Sequence, residues 1–324
     1  MGITVFGAVF VDIKGYPFER FVPGGRNAGK VEQVHGGVSR NVAEDIANVE
    51  LRPTFVSVVD HSGTGTDVIE KLNRHKVNTK YIQRIDGGLG TWLAVFNHEG
   101  DVVASISQRP DLSGIKDILD QYGDEIFSNS DSIVVEIDMN SDLLKRIFDY
   151  ADKYGIKVYA VVSNMSIAME RRDLMKRTGC VVCNDQEAGL LFSDNYEGMS
   201  AEELAPVIMD RAKTAQYPKM VVTMGDQGAV WTDGNTCGVA PAQKTAVVDT
   251  TGAGDAFFAG CAIGLTYGKT LAQACSIGTR LASSVIATKE SVCPRFEPAE
   301  FNLDTAAARC QQMDLFSEEH LDSK

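Results

Sequence analysis

VVDTTGAGDAFFAGCAIG, residues 247–264, is the stretch on which the reading of the whole chain turns. Val247 and Val248 have the character of a strand end. Asp249, Thr250 and Thr251 lead through Gly252-Ala253-Gly254 into an apolar run of small residues, so the order reads strand, turn, helix. Glycines at 252 and 254 open backbone angles closed to other residues and keep side chains out of the way, letting consecutive N–H groups converge on an anion at a helix N-terminus. Asp255 falls in the first helical turn, where the macrodipole favours its ionised form. A carboxylate beside an anion hole suits a base that takes a proton from an alcohol while amides stabilise a transferring phosphoryl group. An equally simple reading makes Asp255 a helix-capping acid and the glycines a tight turn.

The bulk properties narrow the choice of class. The 324 residues carry 44% hydrophobic and 23% charged side chains, enough for a sizeable core. A net charge of −13 argues against a nucleic-acid or anionic-membrane surface as the main partner. No apolar run has the length of a membrane span, and the start, MGITVFG, goes directly into strand-like residues without a secretory leader. Seven scattered cysteines fit reduced thiols and a cytoplasmic location, and Cys180-Val-Val-Cys183, with no second pair, reads as a half-buried strand.

Residues 3–11 form a nearly continuous apolar run ending at Asp12, the pattern of a central parallel strand with a polar residue at its carboxyl end, where open α/β sheets bind ligands. Residues 13–34 are polar and rich in Gly and Pro. Two P-loop lookalikes, Gly24–Lys30 and Gly264–Thr270, fail: Val31 stands where Ser or Thr would hold Mg²⁺, and the second follows a helix with one residue too few between its glycines. His35-Gly36-Gly37-Val38-Ser39-Arg40-Asn41 precedes a helical pattern over 42–51. A strand over 54–60, a Gly-Thr-Gly-Thr turn and a helix over 67–75 follow. Residues 92–106 read as a hairpin around His98-Glu-Gly-Asp101. From Ser113, strands over 132–137 and 157–162 alternate with helices over 141–153 and 167–178, which predicts βαβ units and a parallel sheet. Asn184-Asp-Gln-Glu187 closes the Val181–Cys183 strand, and a buried strand at Met220–Met224 runs into Gly225-Asp-Gln-Gly228. A small-residue helix over 281–288 and a loop over 289–294 complete the pattern. The acidic tail after Gln311 carries no readable chemistry.

Asp249-Thr-Thr-Gly-Ala-Gly-Asp-Ala-Phe257 resembles the C-terminal signature of the ribokinase-like (PfkB) carbohydrate and nucleoside kinases, and Gly36-Gly-x-x-x-Asn41 resembles their N-terminal one. The resemblance runs from the first strand to about Pro294. It implies a three-layer αβα sandwich with a mostly parallel sheet in one domain over 1–324, closed by a β lid from about 13–34 and 88–108. It also implies an ATP-dependent kinase in which Asp255 is the catalytic base and Gly252, Ala253 and Gly254 form the anion hole. Asp12, Gly36, Gly37, Arg40 and Asn41 are then expected at the sugar. Asn184, Thr223, Gly225, Gly228 and Gly254 are expected at ATP, and Glu187 with Asn184 at Mg²⁺, through water. Asp249 and Thr251 are expected at a monovalent cation such as K⁺, and the lid at a homodimer contact. Asp12–Tyr16, Asn27–Val31 and Gly36–Ala43 are similar to pseudouridine kinases, which makes pseudouridine the first acceptor expected. Ribose, adenosine or inosine, fructose and 2-keto-3-deoxygluconate stand behind it, and a non-catalytic sugar- or nucleotide-binding regulator on the same fold is the reading from another class.

Overall fold

The structure, a computed structural model, describes residues 2–99 and 101–303; Gly100 of the hairpin turn and the acidic tail after Gln311 lie outside the described residues. The first half contains β1 (Gly2–Phe6), β2 (Phe10–Pro17), β3 (Gly29–Gly36), α1 (Val38–Asn48), β4 (Thr54–Val59), α2 (Gly63–Arg74), β5 (Ile82–Arg84), β6 (Gly90–Phe96), β7 (Val102–Gln108) and α3 (Ser113–Ser128). There follow β8 (Ser130–Glu136), α4 (Ser141–Lys153), β9 (Val158–Val161), α5 (Met165–Met169), α6 (Arg172–Met175), β10 (Val181–Asn184), α7 (Asp185–Phe192) and α8 (Ala201–Ala215). The last elements are β11 (Met220–Thr223), β12 (Ala229–Thr232), β13 (Cys237–Ala240), α9 (Ala253–Thr266) and α10 (Leu271–Ile286).

Nine strands form the central sheet in the order β13-β12-β11-β10-β9-β8-β1-β4-β5. From β11 to β5 every pairing is parallel; only β12 and β13 run antiparallel, as a terminal meander. Parallel strands covered on both faces read as unbroken apolar runs, and Ile133–Val135 and Met220–Val222 are such runs, fully buried. One face packs on α3, α4, α7 and α8, and the other on α1, α2, α9 and α10. Helices α9 and α10 approach closely because glycines meet between them: a Cβ on Gly260 would lie 2.6 Å from Gly278 Cα. Four further strands, in the order β3-β2-β6-β7, make a separate sheet, the expected lid.

Several expectations need correction. Residues 3–11 are not one strand: β1 stops at Phe6, and β2, which carries Asp12, belongs to the lid. The break arises where the Ala8 N–H donates to Glu136 Oε2 at 3.0 Å instead of to a neighbouring strand. Asp12 therefore reaches the site from the lid. Val247 and Val248 are 65% and 54% exposed and belong to an extended connection, not a buried strand; β-branched residues favour both conformations. The Gly-Thr-Gly-Thr segment is the first turn of α2, capped by Ser62, whose Oγ accepts from the Gly65 N–H. The helix expected over 167–178 is two short ones, α5 and α6, and the helix placed at 281–288 begins ten residues earlier, where Thr270 and Gln273 form a capping box. Cys180 and Cys183 are both buried, so β10 is covered on both faces.

Candidate active site

The first helical turn of α9 is built as the sequence suggested. Gly252, at φ +82°, is its N-terminal cap, and a Cβ there would lie 2.0 Å from the Ser291 carbonyl oxygen, so both conformation and space demand glycine. No side chain caps this helix. The Ala253 N–H already donates to Thr250 O at 3.2 Å, which leaves the anion-binding role to the amides that follow it, and a Cβ on Gly254 would meet nothing within 4 Å. An uncapped helix N-terminus beside open space has the geometry that suits an anion.

A cleft of about 1050 Å³ lies between the inner face of the lid and this turn. It is lined by Asp12, Gly36, Gly37, Asn41, Asp249, Thr251, Gly252 and Asp255, so residues far apart in the chain meet as expected. Asn41 Nδ2 donates to Asp255 Oδ2 at 2.7 Å. The other end of that amide accepts from the Arg40 guanidinium, which fixes which way the amide faces. Arg40 itself is 1% exposed, paired with Glu44 and donating to the His35 carbonyl oxygen. It does not line the cleft; it holds Asn41. Gly36 is pressed against Asp12, for a Cβ there would lie 2.6 Å from Asp12 Oδ1. Gly37, at φ +97°, turns the chain from β3 into α1.

Desolvation pushes the Asp255 carboxyl up to about 6, against the Asn41 amide and the Arg40 charge, with Asp12 adding to the rise. Burial outweighs the amide and the guanidinium, and the carboxylate becomes a better proton acceptor than an exposed aspartate. The Asp12 carboxyl is also raised by burial, opposed by Lys14 and Arg40.

Glu136, absent from the sequence reading, ends β8 at the cleft. Its Oε2 accepts from Ala8 N–H and its Oε1 from Ser39 N–H at 3.3 Å. Burial and the neighbouring Asp138 raise it to about 7, opposed by those two amides. The available signal was an acid finishing a strand at its carboxyl end. Trp92 was missed too; it pairs with Asp12 in the lid register and faces the same cleft.

Of the residues expected at the nucleotide, Gly254 lies in the first turn of α9, whereas Asn184, Thr223, Gly225 and Gly228 do not line the cleft. Asn184 and Thr223 are register partners at the carboxyl ends of β10 and β11. Asn184 Oδ1 accepts from Glu187 N–H, and Glu187 Oε2 accepts from Asn184 N–H, both at 2.8 Å, a reciprocal capping box on α7. Gly225 and Gly228 adopt positive φ of 57° and 92°, and a Cβ on Gly228 would lie 2.2 Å from Ala240 O. Among the described residues no group of three or more His, Cys, Asp or Glu is arranged to hold a metal ion. The capping box uses Glu187 Oε2 and leaves Oε1 outside its bonds, an acceptor suited to the water of a hydrated Mg²⁺.

A parallel sheet with a β lid, an uncapped glycine turn and a half-buried carboxylate in one cleft are the features of a small-molecule kinase of the ribokinase fold. The chain belongs to the pfkB family of carbohydrate kinases, whose profile matches residues 2–295. It is 31% identical over 292 residues to a guanosine-inosine kinase of Exiguobacterium acetylicum, covering 89% of this chain and 95% of that protein. To a pseudouridine kinase of Escherichia coli it is 25% identical over 290 residues, covering 85% and 88%. Its fold is similar to that of an Arabidopsis thaliana ribokinase solved with ribose and ATP, with a TM-score of 0.80 at 19% identity and coverage of 94% and 99%. Among the described residues no helix is long and apolar enough to cross a membrane.

Proposed function

We propose that this kinase transfers the γ-phosphoryl group of ATP to the primary 5′-hydroxyl of a ribonucleoside. One observation carries the reading: Asp255 is hydrogen-bonded to Asn41 at the mouth of an uncapped glycine turn, in the cleft that also holds Asp12. Asp12, Gly37 and Asn41 orient the ribose hydroxyls. As the acceptor oxygen bonds to the γ-phosphorus and the bond to the β-phosphate oxygen breaks, the hydroxyl proton passes to Asp255. The amides following Ala253 stabilise the transferring group. Positioning and electrostatics supply nearly all catalysis in such a transfer. Mg²⁺ held through water near Asn184 and Glu187 would neutralise phosphate charge. Asp249, whose Oδ1 accepts from Thr251 N–H at 2.8 Å, and Thr251 are proposed for K⁺.

Within this class, inosine and guanosine come before pseudouridine. The cleft is roomier than a free pentose needs, Phe10 at its edge offers aromatic surface to a base, and the guanosine-inosine kinase is more alike than the pseudouridine kinase. ATP consumption measured over inosine, guanosine, pseudouridine, adenosine, ribose, fructose and 2-keto-3-deoxygluconate tests the reading. Highest kcat/KM on a nucleoside supports it, and turnover confined to free sugars refutes it. The lid's outer face, where Ile106 is 69% and Val31 71% exposed, is proposed to pair two copies; sedimentation equilibrium should return twice the monomer mass.

A further inference from the structure

The sugar cleft continues past Glu136 into a second cavity of about 660 Å³, with Phe10, Glu136 and Ser163 common to both. The known features of the site leave this cavity unused. Phe10, Leu112 and Met139 give it apolar surface, and its outer charges are of both signs, Lys116 and Arg146 against Asp111 and Asp142. That mixture suits a flat neutral group better than an anion.

Within it Asp138, Arg109 and Ser163 form a polar cluster. Asp138, with its side chain 5% exposed, accepts through Oδ2 from Arg109 Nη2 at 3.0 Å and from Ser163 Oγ at 2.7 Å. Its Oδ1 is buried and has no hydrogen-bond partner among the described residues. A buried carboxylate oxygen without a donor is costly, and such a group calls for an explanation. Arg109 is 52% exposed and its Nη1 also donates to the Asp138 backbone carbonyl oxygen at 3.4 Å, so the open face of its guanidinium stays available at the cavity wall. An acceptor next to a donor, over apolar surface, matches a ring N–H next to a carbonyl oxygen. The position fits as well. The cavity adjoins the cleft that holds Asp12, Asn41 and Asp255 and shares Glu136 and Ser163 with it, so a ribose held in the cleft by its hydroxyls would leave its base within reach of the cavity.

We infer that this cavity receives the nucleobase of the acceptor, with Asp138 accepting the ring N–H and Arg109 donating to the adjacent carbonyl oxygen of a base such as hypoxanthine or guanine. The inference rests on the nucleoside-kinase reading above.

Steady-state kinetics with inosine and 1-methylinosine, which lacks the N1–H, test it on the full chain and on its Asp138→Asn and Arg109→Ala variants. For the unaltered enzyme, methylation should raise KM by roughly 10- to 100-fold, the worth of one charge-assisted hydrogen bond. In Asp138→Asn the KM for inosine should rise by a similar factor while kcat stays within about threefold, and the methylation penalty should largely vanish. Arg109→Ala, which takes the guanidinium away from the cavity wall, should raise the inosine KM by about tenfold. Equal KM for the two nucleosides in the unaltered enzyme overturns the assignment, and so does an unchanged inosine KM in Arg109→Ala, even if Asp138→Asn fails to fold. Turnover of free sugars alone overturns the nucleoside reading and this one together, whereas brisk nucleoside turnover indifferent to all three changes removes only the base cavity.

Discussion

The acceptor half of the site and the nucleotide half are put together in opposite ways. At the acceptor half the decisive contacts join distant parts of the chain: Asn41 and Asp255 are 214 positions apart, and Ala8 and Glu136 are 128 apart. At the nucleotide half Asn184 and Glu187 satisfy each other's backbone three positions apart, and Asn184 meets Thr223 through simple strand register. Contacts of the first kind exist only in the folded chain, and they hold carboxylates where water is scarce; those of the second kind would form in almost any β-α unit. Burial raises the Asp255 and Glu136 carboxyls to about 6 and about 7, whereas on the other half it raises Glu187 against the hydrogen bond from Asn184 N–H.

The sharpest way to break this contrast is Asp255→Asn. Loss of the proton acceptor should lower kcat by roughly 10²-fold or more with the KM for ATP little changed. The same variant should melt higher at pH 8. The folded carboxyl sits at about 6 against an ordinary 3.8, so its contribution to stability is present below pH 3.8 and is lost as pH rises through 6. Above that window the ionised group destabilises the fold, and a neutral amide relieves it; a lower Tm would contradict the assigned desolvation. By the same titration, kcat/KM of the unaltered enzyme should fall about tenfold per pH unit below 6.

Gly252→Ala comes next. With φ at +82° and a Cβ 2.0 Å from Ser291 O, strain and clash should cost at least about 1–3 kcal/mol in denaturant melts and displace the amides of the turn. Asn41→Ala should reduce kcat/KM by roughly tenfold or more. It should also move the acidic limb of the pH profile to higher pH, because the amide that lowers the Asp255 pKa is gone. The smallest effect belongs to the nucleotide half. Asn184→Ala removes a helix cap worth about 1 kcal/mol and should raise the KM for ATP a few-fold. If it raised the KM for the nucleoside instead, the two halves would not be separable.

Legibility followed the same division. The Gly252–Asp255 turn, the glycines before α1 and the Asn184–Glu187 box could be read because each is a short run whose chemistry depends on local backbone geometry. Glu136 and Asp138 could not, because an acid at a strand end says nothing about which cavity it faces. Arg40 was placed at the substrate by its neighbours in sequence, yet α1 turns it inward to Glu44 and Asn41.

Apolar runs, their alternation with helical patterns and the turn glycines were enough to read βαβ units, a parallel sheet and a glycine turn that opens a helix with an acid in its first turn, since strand, helix and cap preferences act over a few residues. Tertiary structure alone decided that the chain leaves the central sheet at Gly7, that Asp12 arrives from the lid, and that Asp255 titrates near 6. Those outcomes depend on which groups displace water from one another, and that is settled only when segments far apart in the chain are packed together.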